Sequence, residues 1–209
     1  MIRNIIFDMG NVLINYEPKE YKKQFADKQH VDILYETIFQ SIEWIQLDRG
    51  SIEEKQAKYI FYNKVPEYLH KAVDDIFDNW HENLHEKNEM FYLVKQLKSK
   101  GDNLYLLSNT SKRFYCYYKK IPALSYFDGM LISADELLLK PDLAIYERLF
   151  DKYGLVPEEC FFIDDHKMNI EAAAFLGMVG FVYENNIKSL RRELSNRGIL
   201  GKELQSFLI

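Results

Sequence analysis

The most regular feature of the chain is a set of short apolar runs rich in branched and aromatic residues: Ile2 to Phe7, Asn103 to Leu107, Gly129 to Ile132, Cys160 to Ile163 and Val179 to Tyr183. Near-continuous hydrophobicity, rather than alternation, predicts strands of a parallel sheet covered on both faces. Between the later runs the spacing becomes helical. Met90, Val94 and Leu97 share one face before Gly101, Asp142 stands where it would cap a helix carrying Ile145 and Leu149, and Ile170 to Leu176 stops at Gly177. Strands alternating with helices predict a doubly wound parallel α/β sheet.

From about Asn15 to Lys87 the alternation stops and the chain reads as an all-helical insertion. Pro18, Gly50-Ser51 and Val65-Pro66 divide it into about four helices, with Ser51 and Glu54 spaced as a capping box. The last of these helices carries Leu69, Val73, Ile76, Phe77, Trp80 and Leu84 as one stripe. The expected organisation is an α/β core from residues 1–14 and 88–209 with a helical unit at 15–87 inserted between them.

Composition narrows the function. With 47% hydrophobic and 28% charged residues the chain is neither disordered nor fibrous, and a net charge of -5 lacks the basic field that nucleic acid binding needs. No apolar run approaches the ~20 residues of a membrane span, and Asp8 interrupts the apolar start too early for a signal peptide. Cys116 and Cys160, far apart and without His or Cys neighbours, read as buried, reduced packing residues of a cytoplasmic protein.

The chemistry-bearing residues stand at strand ends. Asp8 follows the first strand, Ser108-Asn109 the second, Lys140-Pro141 lies beyond the third, and Asp164-Asp165 ends the fourth. The carboxyl ends of parallel strands share one edge, where ligands bind, so three carboxylates, a hydroxyl and a lysine are expected in one crevice. Clustered carboxylates repel unless a cation sits among them, and an all-oxygen set suits Mg²⁺ with phosphate as its partner.

Phe7-Asp8-Met9-Gly10-Asn11-Val12-Leu13, Leu107-Ser108-Asn109-Thr110, Lys140-Pro141 and Phe162-Ile163-Asp164-Asp165, in this order, resemble the motifs of the haloacid dehalogenase superfamily, in a form similar to bacterial α-D-glucose-1-phosphate phosphatases. The resemblance implies a Rossmann-like core with a helical cap, and a phosphatase with Asp8 as nucleophile and metal ligand. It further implies metal contacts from Asp164, Asp165 and the Gly10 carbonyl, with Asn169 behind them. Ser108 and the Asn109 amide would hold the phosphoryl oxygens, and Lys140 would neutralise charge on phosphate and nucleophile. The expected function is Mg²⁺-dependent hydrolysis of a small phosphorylated metabolite, sugar phosphates included. A catalytically silent phosphometabolite-binding protein is the alternative.

Gly10 departs from the superfamily pattern, in which a second aspartate protonates the leaving oxygen and activates water. Without that acid, turnover should depend steeply on leaving-group acidity and favour aryl phosphates and sugar 1-phosphates. A flat dependence would require another donor, such as a cap residue or an ordered water. Dehalogenation is disfavoured, because the tyrosine usual two residues after the nucleophile in dehalogenases is also absent. Trp44, Asp48 and Arg49 fall where the resemblance places substrate discrimination, although Trp44 reads as packing and Asp48-Arg49 as a turn. His166 reads as an exposed loop histidine.

His81-Glu82-Asn83-Leu84-His85 is a rival constellation, matching the zinc-protease pattern of two histidines one helical turn apart. The apolar stripe puts both histidines on the helix flank, so they read as solvated surface residues.

Overall fold

The structure, a computed structural model, describes residues 1–18 and 30–201. Seven strands are present among them: β1 (Asn4–Phe7), β2 (Ile14–Asn15), β3 (His85–Glu86), β4 (Asn103–Ser108), β5 (Gly129–Ile132), β6 (Cys160–Asp164) and β7 (Val179–Val182). The five longer ones form one parallel sheet in the order β5-β4-β1-β6-β7. The chain builds outward from β1 to β5, then returns to the other side of β1 for β6 and β7. That reversal sets a topological switch point at the carboxyl end of β1.

Both faces of the sheet are covered. Ile5, Phe7, Leu104, Leu106, Phe161 and Ile163 face one buried cluster, while Ile6, Tyr105, Leu107, Cys160 and Phe162 alternate into a second. The first cluster continues without a break into Trp44, Phe61, Phe77 and Trp80, so the helical layer and the sheet share a hydrophobic core.

That layer contains α1 (Val31–Ile38), α2 (Ile42–Arg49), α3 (Glu54–Lys64) and α4 (His70–Asn79). Four helices were expected; the preceding break at Pro18 borders residues outside the described range. The stretch is not wholly helical, because β2 and β3 pair antiparallel, Ile14 with Glu86 and Asn15 with His85. They are too short and polar to register as apolar runs, yet they bring the two crossings between sheet and helices side by side.

Other local details differ from expectation. The capping box of α3 lies at Glu53 and Gln56, where the Glu53 N–H donates to Gln56 Oε1 at 2.8 Å. Ser51 instead donates to the Gln46 carbonyl, because Gly50 in the left-handed region has already ended α2. Asp142 stands at the start of the helix Leu143–Tyr153 without a side-chain cap bond. Cys160 is buried but Cys116 is exposed, since Phe114 and Tyr117 take the inward positions of its short helix.

Gly50 shows how closely the layers meet. Its φ is +79°, and a Cβ there would lie 2.2 Å from the Ala134 carbonyl oxygen, whereas Gly154 at φ +64° has open space around it. Gly154→Ala is therefore expected to cost about 1 kcal/mol for the backbone conformation alone. Gly50→Ala should cost about 2 to 4 kcal/mol, because that penalty is joined by a steric one. Urea unfolding of both variants checks the comparison, and equal losses would mean that the layers yield easily at this contact.

Candidate active site

The switch point gathers the strand-end residues. Asp8, just beyond β1, has its N–H bonded to the Ile163 carbonyl at 2.9 Å, which ties the ends of β1 and β6 together. Lys140 Nζ lies 2.7 Å from Asp8 Oδ1, 2.7 Å from Asp164 Oδ2 and 2.9 Å from the Leu107 carbonyl. All three ammonium donors are thus occupied, and the lysine is a partner of the nucleophile candidate.

One ligand oxygen from each of Asp8, Asp164 and Asp165 lies within 4.8 Å of the others, and among the described residues this is the group of acids, histidines and cysteines able to hold a metal. Burial pushes the Asp8 pKa up to about 6; Lys140 opposes the rise, and repulsion from Asp164 and Asp165 adds to it. Burial alone would lower the Lys140 pKa, but attraction to Asp8 and Asp164 outweighs it and holds the ammonium above its usual value.

Asp164 and Asp165 differ in environment. Asp164 has no exposed surface, and its oxygens accept from Lys140, the His166 N–H and Asn169 Nδ2. Asp165 lines a cavity of about 300 Å³ together with Asp8, Gly10, Ser108, Asn109 and Lys140. Asn169 Nδ2 donates to both Asp164 oxygens, at 3.0 and 2.9 Å, and its carbonyl accepts from Tyr146. The Asn109 side chain bonds to the Lys140 backbone: Nδ2 donates to the Lys140 carbonyl and Oδ1 accepts the Lys140 N–H, both at 2.9 Å. This reciprocal pair joins the loop after β4 to the lysine.

Asn11 and Lys87 were not singled out in the sequence. Asn11 sits at φ +54°, a region asparagine tolerates, and donates to Asp165 Oδ2 at 3.1 Å while accepting the Tyr16 N–H. Its position directly after Gly10 was the available signal. Lys87 donates to the Asn11 carbonyl at 2.5 Å and to Asn185 Oδ1 at 2.8 Å, and nothing in the sequence around it indicated that contact.

The helical side of the cavity is aromatic. Trp44 and Trp80 meet edge to face at 5.4 Å, Trp80 meets Tyr117 at 5.8 Å and Tyr16 at 6.0 Å, and all four line the space. Asp48 joins them there, while Arg49 turns toward Asp142 at 3.8 Å. His166 also lines the cavity, but its side chain is largely exposed.

The two histidines of the rival constellation do not share a helical turn. The α-helix ends at Asn79, His81 lies in a 3₁₀ turn and His85 in β3. His81 is buried against Tyr117, which corrects its reading as a surface residue; His85 is exposed. Burial, followed by the charge of Arg113, lowers the His81 pKa, and Glu82 pairs with Lys120 at 2.5 Å.

A doubly wound sheet with an acid-lysine cluster at its switch point defines the class of protein. The family model for haloacid dehalogenase-like hydrolases matches residues 2–177, and the chain belongs to that family. It is 30% identical over 179 residues to a sesquiterpene phosphatase of Aspergillus oryzae, covering 84% of this chain and 86% of that one. It is 26% identical over 210 residues to the D-ribitol-5-phosphate phosphatase of Bacteroides thetaiotaomicron, covering 93% and 98%. Its fold is similar to a family enzyme from the same organism crystallised with magnesium and inorganic phosphate, at a TM-score of 0.69, 24% identity and coverage of 88% and 95%.

Proposed function

We propose that the protein is a Mg²⁺-dependent phosphomonoester hydrolase that acts through an aspartyl phosphate on Asp8. The observation that carries this reading is the buried Lys140 ammonium between Asp8 and Asp164, with Asp165 beside them lining the cavity. An Asp8 oxygen attacks phosphorus, the bond to the leaving oxygen breaks, and the product leaves as an alcohol after gaining a proton. Water then attacks the same phosphorus, the bond to Asp8 breaks, and inorganic phosphate leaves. Ser108, through its hydroxyl, and the Asn109 amide bind the phosphoryl oxygens, and Lys140 steadies charge on the nucleophile.

Three carboxylates against one ammonium leave an excess of negative charge, and the hard oxygen donors fit Mg²⁺. Asp8, Asp165 and the Gly10 carbonyl would hold it, while Asp164, already occupied by hydrogen bonds, orients Lys140 and Asn169. Mg²⁺, when bound, neutralises charge on the carboxylates and the phosphoryl oxygens. The helices between Asn15 and Lys87 serve as the cap. Their aromatic wall supports a small phosphorylated metabolite with an apolar or ring-shaped body, sugars included.

Incubation with a panel of phosphorylated metabolites and aryl phosphates tests the reading. Phosphate release with Mg²⁺, abolished by EDTA and restored by added Mg²⁺, is expected. Binding of the panel compounds without release from any of them would leave a silent binding protein instead.

A further inference from the structure

Gly10 leaves the proposed reaction without its usual proton donor, and the cavity contains a candidate on the opposite wall. In phosphoryl transfer the attacking and leaving oxygens stand roughly in line. Asp8 attacks from the sheet edge, so the leaving oxygen departs toward the helical layer. Among the described residues, the carboxyl groups lining the cavity belong to Asp8 and Asp165 at the sheet edge and to Asp48 at the end of α2 on the helical side.

Asp48 is held in place from several directions. Ser133 Oγ donates to its carbonyl at 2.5 Å and accepts the Thr110 N–H at 2.8 Å, which ties the residue to the loop carrying Ser108 and Asn109. Gly50, two residues on, packs against the Ala134 backbone so closely that no side chain fits there. Among the described residues no cation pairs with the Asp48 carboxyl. A hydrogen bond from the Ser111 amide favours the charged form, and burial outweighs it, pushing the pKa up to about 8. The carboxyl is therefore protonated at neutral pH, the state a proton donor needs.

We propose that Asp48 is the general acid and base of this enzyme, supplied by the helical layer in place of the missing side chain at Gly10. The proposal rests on the phosphatase reading above. In the first step the Asp8 oxygen bonds to phosphorus, the phosphorus–oxygen bond of the ester breaks, and the Asp48 proton passes to the departing oxygen. In the second, the Asp48 carboxylate takes a proton from the water that attacks phosphorus; Asp8 is released as a carboxylate and Asp48 returns to the acid. The glycine therefore does not impose a steep dependence on leaving-group acidity.

The test measures kcat/KM, which reports steps up to phosphoryl transfer, over a graded series from 2,4-dinitrophenyl phosphate to alkyl phosphates, with Mg²⁺. The parent enzyme is expected to show a shallow dependence. Asp48→Asn should lower kcat/KM for alkyl phosphates by ~100- to 10,000-fold and leave it within about 3-fold for the dinitrophenyl ester, whose leaving group needs no proton. With that ester the variant should also show a burst of dinitrophenol, one equivalent per enzyme, because the phosphorylated Asp8 then lacks its base. Gly10→Asp in the Asp48→Asn background should restore part of the alkyl phosphate rate, since its Cβ would meet Asp8 Oδ2 and Tyr16 only at 3.9 Å. A folding defect in Asp48→Asn would not be repaired in that way.

A loss equal for every ester, or no loss, overturns the assignment of Asp48 while leaving the phosphatase reading intact. A graded loss in His166→Gln instead would give the role to that histidine. A parent protein that releases no phosphate even from the dinitrophenyl ester removes both the phosphatase reading and this proposal.

Discussion

Asp8→Asn is expected to lower phosphate release by at least ~10,000-fold, the scale seen when a covalent nucleophile is removed, while the protein stays folded. The substitution keeps the side-chain shape but removes the attacking oxygen and one charge from the carboxylate cluster. Its effect on stability should have the opposite sign. The folded pKa of Asp8, about 6, lies above its ordinary value of 3.8, so the ionised carboxylate is disfavoured in the fold. Its contribution is fully present below about pH 4 and is lost as pH rises through about 6. Without metal, the asparagine variant should therefore melt at or above the parent at pH 8 and lose that advantage at pH 4. Added Mg²⁺ should raise the parent Tm at pH 8 more than that of the variant. Retained turnover, or a variant that melts below the metal-free parent at pH 8, would contradict this account of Asp8.

Lys140→Met should produce the largest loss of stability among single substitutions at the site. Lys140 is buried with Asp8 and Asp164 and donates to both. Removing the cation leaves two neighbouring buried carboxylates uncompensated, a change that typically costs about 3 to 5 kcal/mol. At ~2 to 4 °C per kcal/mol for a chain of this size, Tm should fall by roughly 6 to 20 °C. The loss should be greatest above pH 6, where Asp8 is ionised, and Mg²⁺ should recover part of it by replacing the missing positive charge. Turnover should fall by ~100- to 1,000-fold or more, as when a charge-stabilising group is lost. Thermal unfolding with and without Mg²⁺, at pH 5 and pH 8, checks the first part. A Tm unchanged at pH 8 would show that the pair contributes little net stability.

The five principal strands were legible because each needs only a short apolar run to be buried on both faces, and all five form the parallel sheet. The convergence of Asp8, Ser108, Lys140 and Asp164-Asp165 was legible for a related reason: strand ends of a parallel sheet meet at one edge, whatever their separation in sequence. Local sequence was weaker where competing partners were available. The α3 capping box moved to Glu53 and Gln56 once Gly50 had ended the preceding helix, and the stripe from Leu69 to Leu84 broke after Asn79.

The amino-acid sequence by itself determined the strand pattern, the helical character of the intervening stretch and the set of carboxylates at the strand ends. It did so because burial periodicity and residue chemistry are local properties. The tertiary structure alone decided that Asp164 is occupied by hydrogen bonds while Asp165 faces the cavity, that Asn11 bridges to Asp165, and that Asp48 lines the same cavity as Asp8 and Asp165. These contacts join residues up to 154 positions apart. The desolvation that raises the Asp48 pKa depends on what the fold packs around its carboxyl, and an aspartate at a helix end has no sequence signature separating that environment from an ordinary solvated turn.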